Sequence, residues 1–179
     1  MTTFAALLRG VNVGGKSKIS MPDLKSSFSS LGLEDVETYI QSGNVIFRSP
    51  ARGAKKLAAR IERQIAKDFG VDVTVVLRTA AELEQIAKGN PFAKGKPDLS
   101  KLHVVFLDRT PAKSALAELD PGRSPPDEFD VRGREIYLRL PNGMGRTKLT
   151  GDYFERRLGV PATARNWKTL TKLLDLMRG

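Results

Sequence analysis

Short apolar runs, alternating stretches and four-residue periodicities follow one another along the chain in an order that occurs twice. Phe4 to Arg9 is an apolar run stopped by Gly10, the pattern of a buried strand, and residues 10–20 form a loop rich in Gly, Asn and Lys. Ser20 suits an N-cap, with Asp23 three residues later and Pro22 tolerated in the first turn. Met21, Leu24, Phe28 and Leu31 then share one face of an amphipathic helix that Gly32 ends. Residues 36–41 and 44–48 alternate on either side of Ser42-Gly43, which predicts a hairpin with a two-residue turn. Thr38, Ile40, Val45 and Phe47 fall on its core face, Tyr39 and Ile46 on the other. Leu57, Ile61, Ile65 and Phe69 predict a second helix ending at Gly70, residues 73–78 a strand, and Thr79 with Glu82 a capping box for a short helix ending near Lys88 and Gly89.

After a connection rich in Gly, Pro and Lys (GNPFAKGKPDLSK) the order repeats. Residues 102–107 read as a strand, and Thr110-Pro111 as the cap of a helix carrying Ala112, Ala115, Leu116 and Leu119. Residues 128–131 and 134–140 form a hairpin around Arg132-Gly133, with Phe129, Ile136, Leu138 and Leu140 on one face. Thr147 or Thr150 opens a helix to Leu158, residues 160–164 make a weak edge strand, and Asn166 caps a last helix with Leu170, Leu173, Leu174 and Met177 inward. The expected fold class is α+β: two tandem ferredoxin-like βαββαβ subdomains with antiparallel sheets and helices on one side. The expected boundaries are an N-terminal subdomain over 1–90, a connecting loop over 91–101, and a C-terminal subdomain with an extra terminal helix over 102–179.

Composition narrows the chemistry. The 179 residues are 40% hydrophobic and 28% charged, ordinary for a folded globular protein. No run approaches the ~18 to 20 apolar residues of a membrane span, and Met1 to Leu8 lacks the basic flank and length of a signal peptide, so no membrane partner and a cytoplasmic location are expected. With no cysteine and one histidine, disulfides, thiol catalysis, Cys-ligated zinc and His-rich metal sites are excluded. No metal is expected and no cofactor is implied. Lys and Arg number 30 against 20 Asp and Glu. Both halves are basic, but residues 132–172 hold ten basic residues (Arg132, Arg134, Arg139, Arg146, Lys148, Arg156, Arg157, Arg165, Lys168, Lys172) against Glu135, Asp152 and Glu155, a net +7. Such a cluster suits either a phosphate-bearing partner or a solvated basic face.

Residues 10–17 (GVNVGGKS) match the nucleotide-binding pattern G-x-x-x-x-G-K-[ST]. The context argues against that reading, because Ile19-Ser20-Met21-Pro22 delays the helix whose N-terminal amides would have to meet the phosphates. Gly14, Gly15, Lys16 and Lys18 still offer amides and ammoniums to an anion. The second basic loop, PNGMGRTKL over residues 141–149, combines Gly143 and Gly145, which permit close backbone approach, with Arg146 and Lys148. The helix after it points its positive end toward the same loop, and Arg165 and Asn166 stand at the start of the last helix; side by side, the two helix starts would make one anion pocket. Turn and cap chemistry explains the same glycines and asparagines. Gln41 and Asn44 at the hairpin tip read as turn residues or as the rim of a site. Trp167 belongs to the apolar stripe of the last helix, and His103 is assigned no chemistry. The third strands of the two halves, NVIFR and REIYLR, lack the paired aromatics of an RNA-recognition platform, leaving Tyr137 as the one good stacking residue.

Taken together, LLRGVNVGGKSKISMPDL, ETYIQSGNVIF, GNPF, GMGRTKLT and RNWKTLTKL resemble the bacterial family known as domain of unknown function 1697, over nearly the whole chain. The resemblance implies a cytoplasmic α+β protein of two ferredoxin-like subdomains and supplies no reaction, cofactor or catalytic residue. Ser17 departs from the longer polar residue that the family pattern implies there.

The function expected first is binding of a phosphate-bearing or other anionic ligand by Arg9, Asn12, Gly14, Gly15, Lys16, Gln41, Asn44, Gly143, Gly145, Arg146, Lys148, Arg165 and Asn166. The alternatives are an enzyme holding a phosphorylated substrate in the same pocket, a non-specific nucleic-acid binder, and an interaction module whose exposed sheet face carries Tyr39, Ile46 and Tyr137. Catalytic residues and oligomeric state are not readable from the sequence.

Overall fold

The computed structural model describes residues 1–12 and 18–179. The chain forms two compact units, one of Met1–Glu84 with Leu173–Gly179, the other of Gln85–Lys172. Each contains a four-stranded antiparallel sheet, and the described residues form six α-helices, none long and apolar enough to cross a membrane.

In the first unit β1 (Thr2–Leu8), β2 (Glu34–Tyr39), β3 (Asn44–Ser49) and β4 (Val75–Thr79) lie in the order β2-β3-β1-β4. Helix α1 (Met21–Ser29) starts where the Ser20 hydroxyl accepts a hydrogen bond from the Asp23 amide at 3.2 Å. It buries Met21, Leu24 and Phe28. Helix α2 (Ala54–Phe69) buries Leu57, Ile61 and Ile65 and stops at Gly70, whose φ of +68° lets its amide close on the Ala66 carbonyl. These faces meet Phe4, Ala6 and Leu8 of β1 and Val45 and Phe47 of β3 in one core. Phe47 is its hinge, stacked on Phe4 and edge-on to Phe28 with centroids 5.6 and 5.5 Å away.

The second unit repeats the plan. Strands β5 (Leu102–Leu107), β6 (Glu128–Arg132), β7 (Glu135–Arg139) and β8 (Ala162–Asn166) lie in the order β6-β7-β5-β8. Helix α5 (Gly151–Leu158) brings Tyr153, Phe154 and Leu158 onto Val105, Leu107, Ile136 and Leu138. Across the second hairpin Phe129 pairs with Leu138 and Val131 with Ile136. The remaining helices are α3 (Ala80–Lys88), α4 (Lys113–Leu116) and α6 (Trp167–Arg178). Thr79 and Glu82 form the reciprocal capping box at the start of α3, at 3.2 and 2.8 Å, and Asn166 caps α6 through Thr169 at 2.8 Å.

Several local expectations need correction. Strand β2 ends at Tyr39, so the hairpin turn spans residues 40–43; Ile40, expected in the core, is 48% exposed with φ +50°. Alternation along 36–41 carries no mark of where pairing stops, and Asn44 closes the wider turn by donating to the Tyr39 carbonyl and the Ser42 hydroxyl. Strand β4 begins at Val75 and β8 at Ala162, two residues later than the hydrophobic runs suggest. Gly133, with φ +61°, and Arg134 make the second hairpin turn, since Arg132 is already paired with Glu135. Helix α4 is a single turn capped at Ala112 with no side-chain bond, not by Thr110-Pro111. Finally, Ile46 and Tyr137 are buried, at 5% and 3% exposure, and Tyr39 is half-buried, so no exposed sheet face carries these three. The cause lies in β1 and β5, whose unbroken apolar runs put Ala5, Leu7, Leu102, Val104 and Phe106 on the second faces of their sheets, a pattern belonging to strands covered on both sides.

Candidate functional site

The expected ligand residues divide between the two units. In the first, Gly14, Gly15 and Lys16 lie outside the described residues. At the edges of that segment the geometry is specific: Asn12, at φ +56°, exchanges two hydrogen bonds with the Ile19 backbone (3.0 and 2.8 Å) and donates to the Gln41 carbonyl at 2.7 Å. The loop after β1 and the hairpin tip are thereby joined by one amide. Helix α1 begins only at Met21, after its Ser20 cap, as the argument against a nucleotide-binding loop requires. Gly43 sits so close that a Cβ there would lie 2.9 Å from Leu8 Cβ, and its carbonyl accepts from the Leu8 amide. Arg9 is half-buried with its amide on the Thr74 carbonyl. Asn44 is wholly buried and its amide donates within the turn, a packing role. Gln41 is exposed, and Lys18 is exposed beside Ile19.

The second unit places Gly143, Gly145, Arg146 and Lys148 in one loop before α5. Gly143 has φ +81°, its amide closes on Leu140, and the space a Cβ would occupy at either glycine is open. Thr150 is the cap of α5, accepting from the Tyr153 amide at 3.1 Å, while Thr147 accepts from Leu149 inside the loop. A residue that sequence reasoning passed over holds this loop in place. Arg123 donates through Nε to the Lys148 carbonyl at 3.1 Å, and its guanidinium carbon lies 4.1 Å from the centre of the Tyr153 ring. Arg157 approaches the same ring at 5.9 Å. Next to Arg123, the buried Ser124 hydroxyl accepts from the Lys148 amide at 3.0 Å and donates to Asp127 at 2.8 Å. The Tyr153 hydroxyl accepts from the Asp120 amide at 3.1 Å. Two loops and one helix thus meet around a stacked arginine.

The cations of residues 132–172 are not one surface. Arg132 pairs with Asp130 at 3.2 Å and donates to the Gly89 carbonyl, and Arg139 pairs with Glu128 at 2.7 Å. Both acids precede residue 132, so their charge offsets the basic stretch from outside it. Arg165 is 8% exposed; it donates to the Thr163 hydroxyl at 2.6 Å and the Ala164 carbonyl at 2.8 Å, and burial pulls its pKa down to about 10, which still leaves it protonated at neutral pH. Nor do the two helix starts share a pocket. Gly151 faces the Ala162 carbonyl at one end of β8 while Asn166 is at the other, about 13 Å away at strand rise. Arg146, Lys148, Arg156 and Arg157 are exposed, and among the described residues the side chains of Arg146, Lys148 and Arg156 have no hydrogen-bonded or ionic partner. Arg123 is exposed too, with its terminal nitrogens uncommitted among the described residues.

Elsewhere the Tyr137 hydroxyl donates to the Ile86 carbonyl at 2.8 Å, and burial pushes its pKa up to about 12. His103 Nδ1 and Asn90 Nδ2 are buried without a partner among the described residues, and burial holds the His103 imidazole below its ordinary pKa. Trp167 is buried in α6, as expected. Among the described residues no three His, Asp or Glu side chains come together as a metal site.

The chain is similar to a conserved bacterial protein, SP0830 from Streptococcus pneumoniae. The match has a TM-score of 0.74 and 25% sequence identity and covers 100% of this chain and 99% of that one. No curated protein matches it. A family model matches residues 1–137, and the chain belongs to the family described as Protein of unknown function (DUF1697).

Proposed function

We propose that the chain is a cytoplasmic binding protein for a phosphate-bearing or other anionic ligand, taken by the Gly-rich basic loop over residues 141–148 of the second unit. The observation that carries this reading is the fixed guanidinium of Arg123. The contact with the Tyr153 ring at 4.1 Å and the bond to the Lys148 carbonyl at 3.1 Å hold it against the loop that carries the exposed Arg146 and Lys148, with its terminal nitrogens uncommitted among the described residues. A guanidinium already immobilised loses little entropy on meeting an oxyanion and offers two parallel donors to it. Gly143 and Gly145 add backbone unscreened by side chains. We also infer that each unit is a ferredoxin-like βαββαβ subdomain, a reading supported by its strand order, second-third-first-fourth, and by the helix after its first and third strands.

The test is a thermal-shift series on the full chain with inorganic phosphate, pyrophosphate and sugar phosphates at low and high salt. A ligand that binds only the native state raises the melting temperature with its concentration. The expected result is a shift that persists at high salt and is lost in the double variant Arg146→Glu/Lys148→Glu. An unchanged melting temperature with every anion, or equal shifts in the double variant, would overturn the reading.

A further inference from the structure

The geometry points to a ligand that carries a nucleobase as well as phosphate, with the base stacking on the outer face of Arg123; this rests on the anion-binding reading above and names its ligand class. The Arg123 guanidinium carbon lies over the Tyr153 ring at 4.1 Å and the residue is exposed, so a ligand would meet the guanidinium on the side away from the ring. Planar guanidinium groups are platforms on which unstacked bases lie, and an aromatic ring beneath keeps the plane from rotating away. A site for inorganic phosphate alone needs converging donors and no platform. Here cations are carried by both elements that Arg123 touches, the loop and α5. Arg146 and Lys148 lie along the loop, and Arg156 and Arg157 follow Tyr153 by three and four residues on α5, which places them on the flank of the same helix face. The nearby carboxylates are partly engaged by protein donors: Asp127 by Ser124, Glu155 by the Ala162 amide and Asp120 by the Gly122 amide. A base at the centre with phosphate to one side fits that layout.

The same chemistry belongs to a mononucleotide and to an unpaired strand, and one fluorescent base distinguishes them. The probes are 2-aminopurine nucleoside monophosphate and a single-stranded oligonucleotide containing one 2-aminopurine, each titrated with the full chain, and pyrophosphate serves as competitor. Stacking quenches the fluorescent base, so saturable quenching that pyrophosphate reverses is the expected result. Quenching of the monophosphate points to a small nucleotide, whereas quenching of the strand alone, weakening linearly in log salt, points to single-stranded nucleic acid. Arg123→Lys keeps the charge but removes the plane and the paired donors; it is expected to weaken probe binding about fivefold or more beyond the loss it causes in pyrophosphate affinity, and equal losses for both would overturn the stacking. Because quenching is read on the unaltered chain, the result does not depend on the variant folding. Pyrophosphate binding with no quenching of either probe overturns this inference alone. Failure of all three ligands to bind overturns the anion-binding reading with it.

Discussion

The Asn12 Nδ2 atom lies 2.7 Å from the carbonyl oxygen of Gln41, 29 residues further along the chain, while the same amide group exchanges two hydrogen bonds with Ile19. Three bonds from one side chain therefore fix the loop entrance, its exit and the hairpin tip. Asn12→Ala removes them all and leaves a less suitable residue at positive φ. The expected cost is about 1 to 3 kcal/mol in urea unfolding. Asn12→Gly, which keeps the backbone conformation, should lose less.

Ile40 presents the opposite case. A β-branched residue at φ +50° is strained, and with 48% exposure its side chain gains little from burial in return. Ile40→Gly should raise stability by up to about 1 kcal/mol, seen as a rise of about 2 to 4 °C in melting temperature. No change, or a fall, would mean that the side chain is held by more than its turn.

Gly43 and Gly143 share a φ of +81° but not their surroundings. At Gly43 a Cβ would meet Leu8 Cβ at 2.9 Å and Val11 Cβ at 3.3 Å, whereas at Gly143 nothing lies within 4 Å. Gly143→Ala should cost only the backbone penalty of about 1 to 2 kcal/mol. Gly43→Ala should cost that plus about 1 to 3 kcal/mol of overpacking. Equilibrium unfolding of the two variants side by side separates conformation from crowding.

His103 is the only histidine, so its titration is isolated on the acid side of neutrality. Burial lowers its pKa from 6.5, outweighing a backbone hydrogen bond at Lys101 that raises it. Below pH 6.5 the unfolded chain therefore takes up a proton that the folded chain refuses, and stability falls with pH until the lower folded pKa is reached. The slope is at most about 1.4 kcal/mol per pH unit. Urea midpoints measured between about pH 7 and pH 5 should show this loss, and His103→Leu should flatten it.

Much of this was legible because its causes are local. Ser20, Thr79 with Glu82, and Asn166 cap their helices as their spacing predicts, and Gly70 stops α2 where the apolar period ends. What escaped depends on partners remote in sequence. Arg123 lies in a proline-rich turn and acquires its role only from Lys148 and Tyr153, 25 and 30 residues away. Arg165 counts as one more cation in a basic stretch until strand pairing turns it into a buried face opposite Val104. The net charge of a window counts side chains, whereas a site depends on which of them face water unpaired.

The division of the chain has a consequence for synthesis. The first compact unit is made from residues 1–84 together with 173–179, including the buried Leu173 and Leu174 and the Arg178 guanidinium, 3.2 Å from Glu84. The residues that complete it are translated after the whole of the second unit. On the ribosome the second unit has its full sequence before the first does, so the half that begins first must finish second.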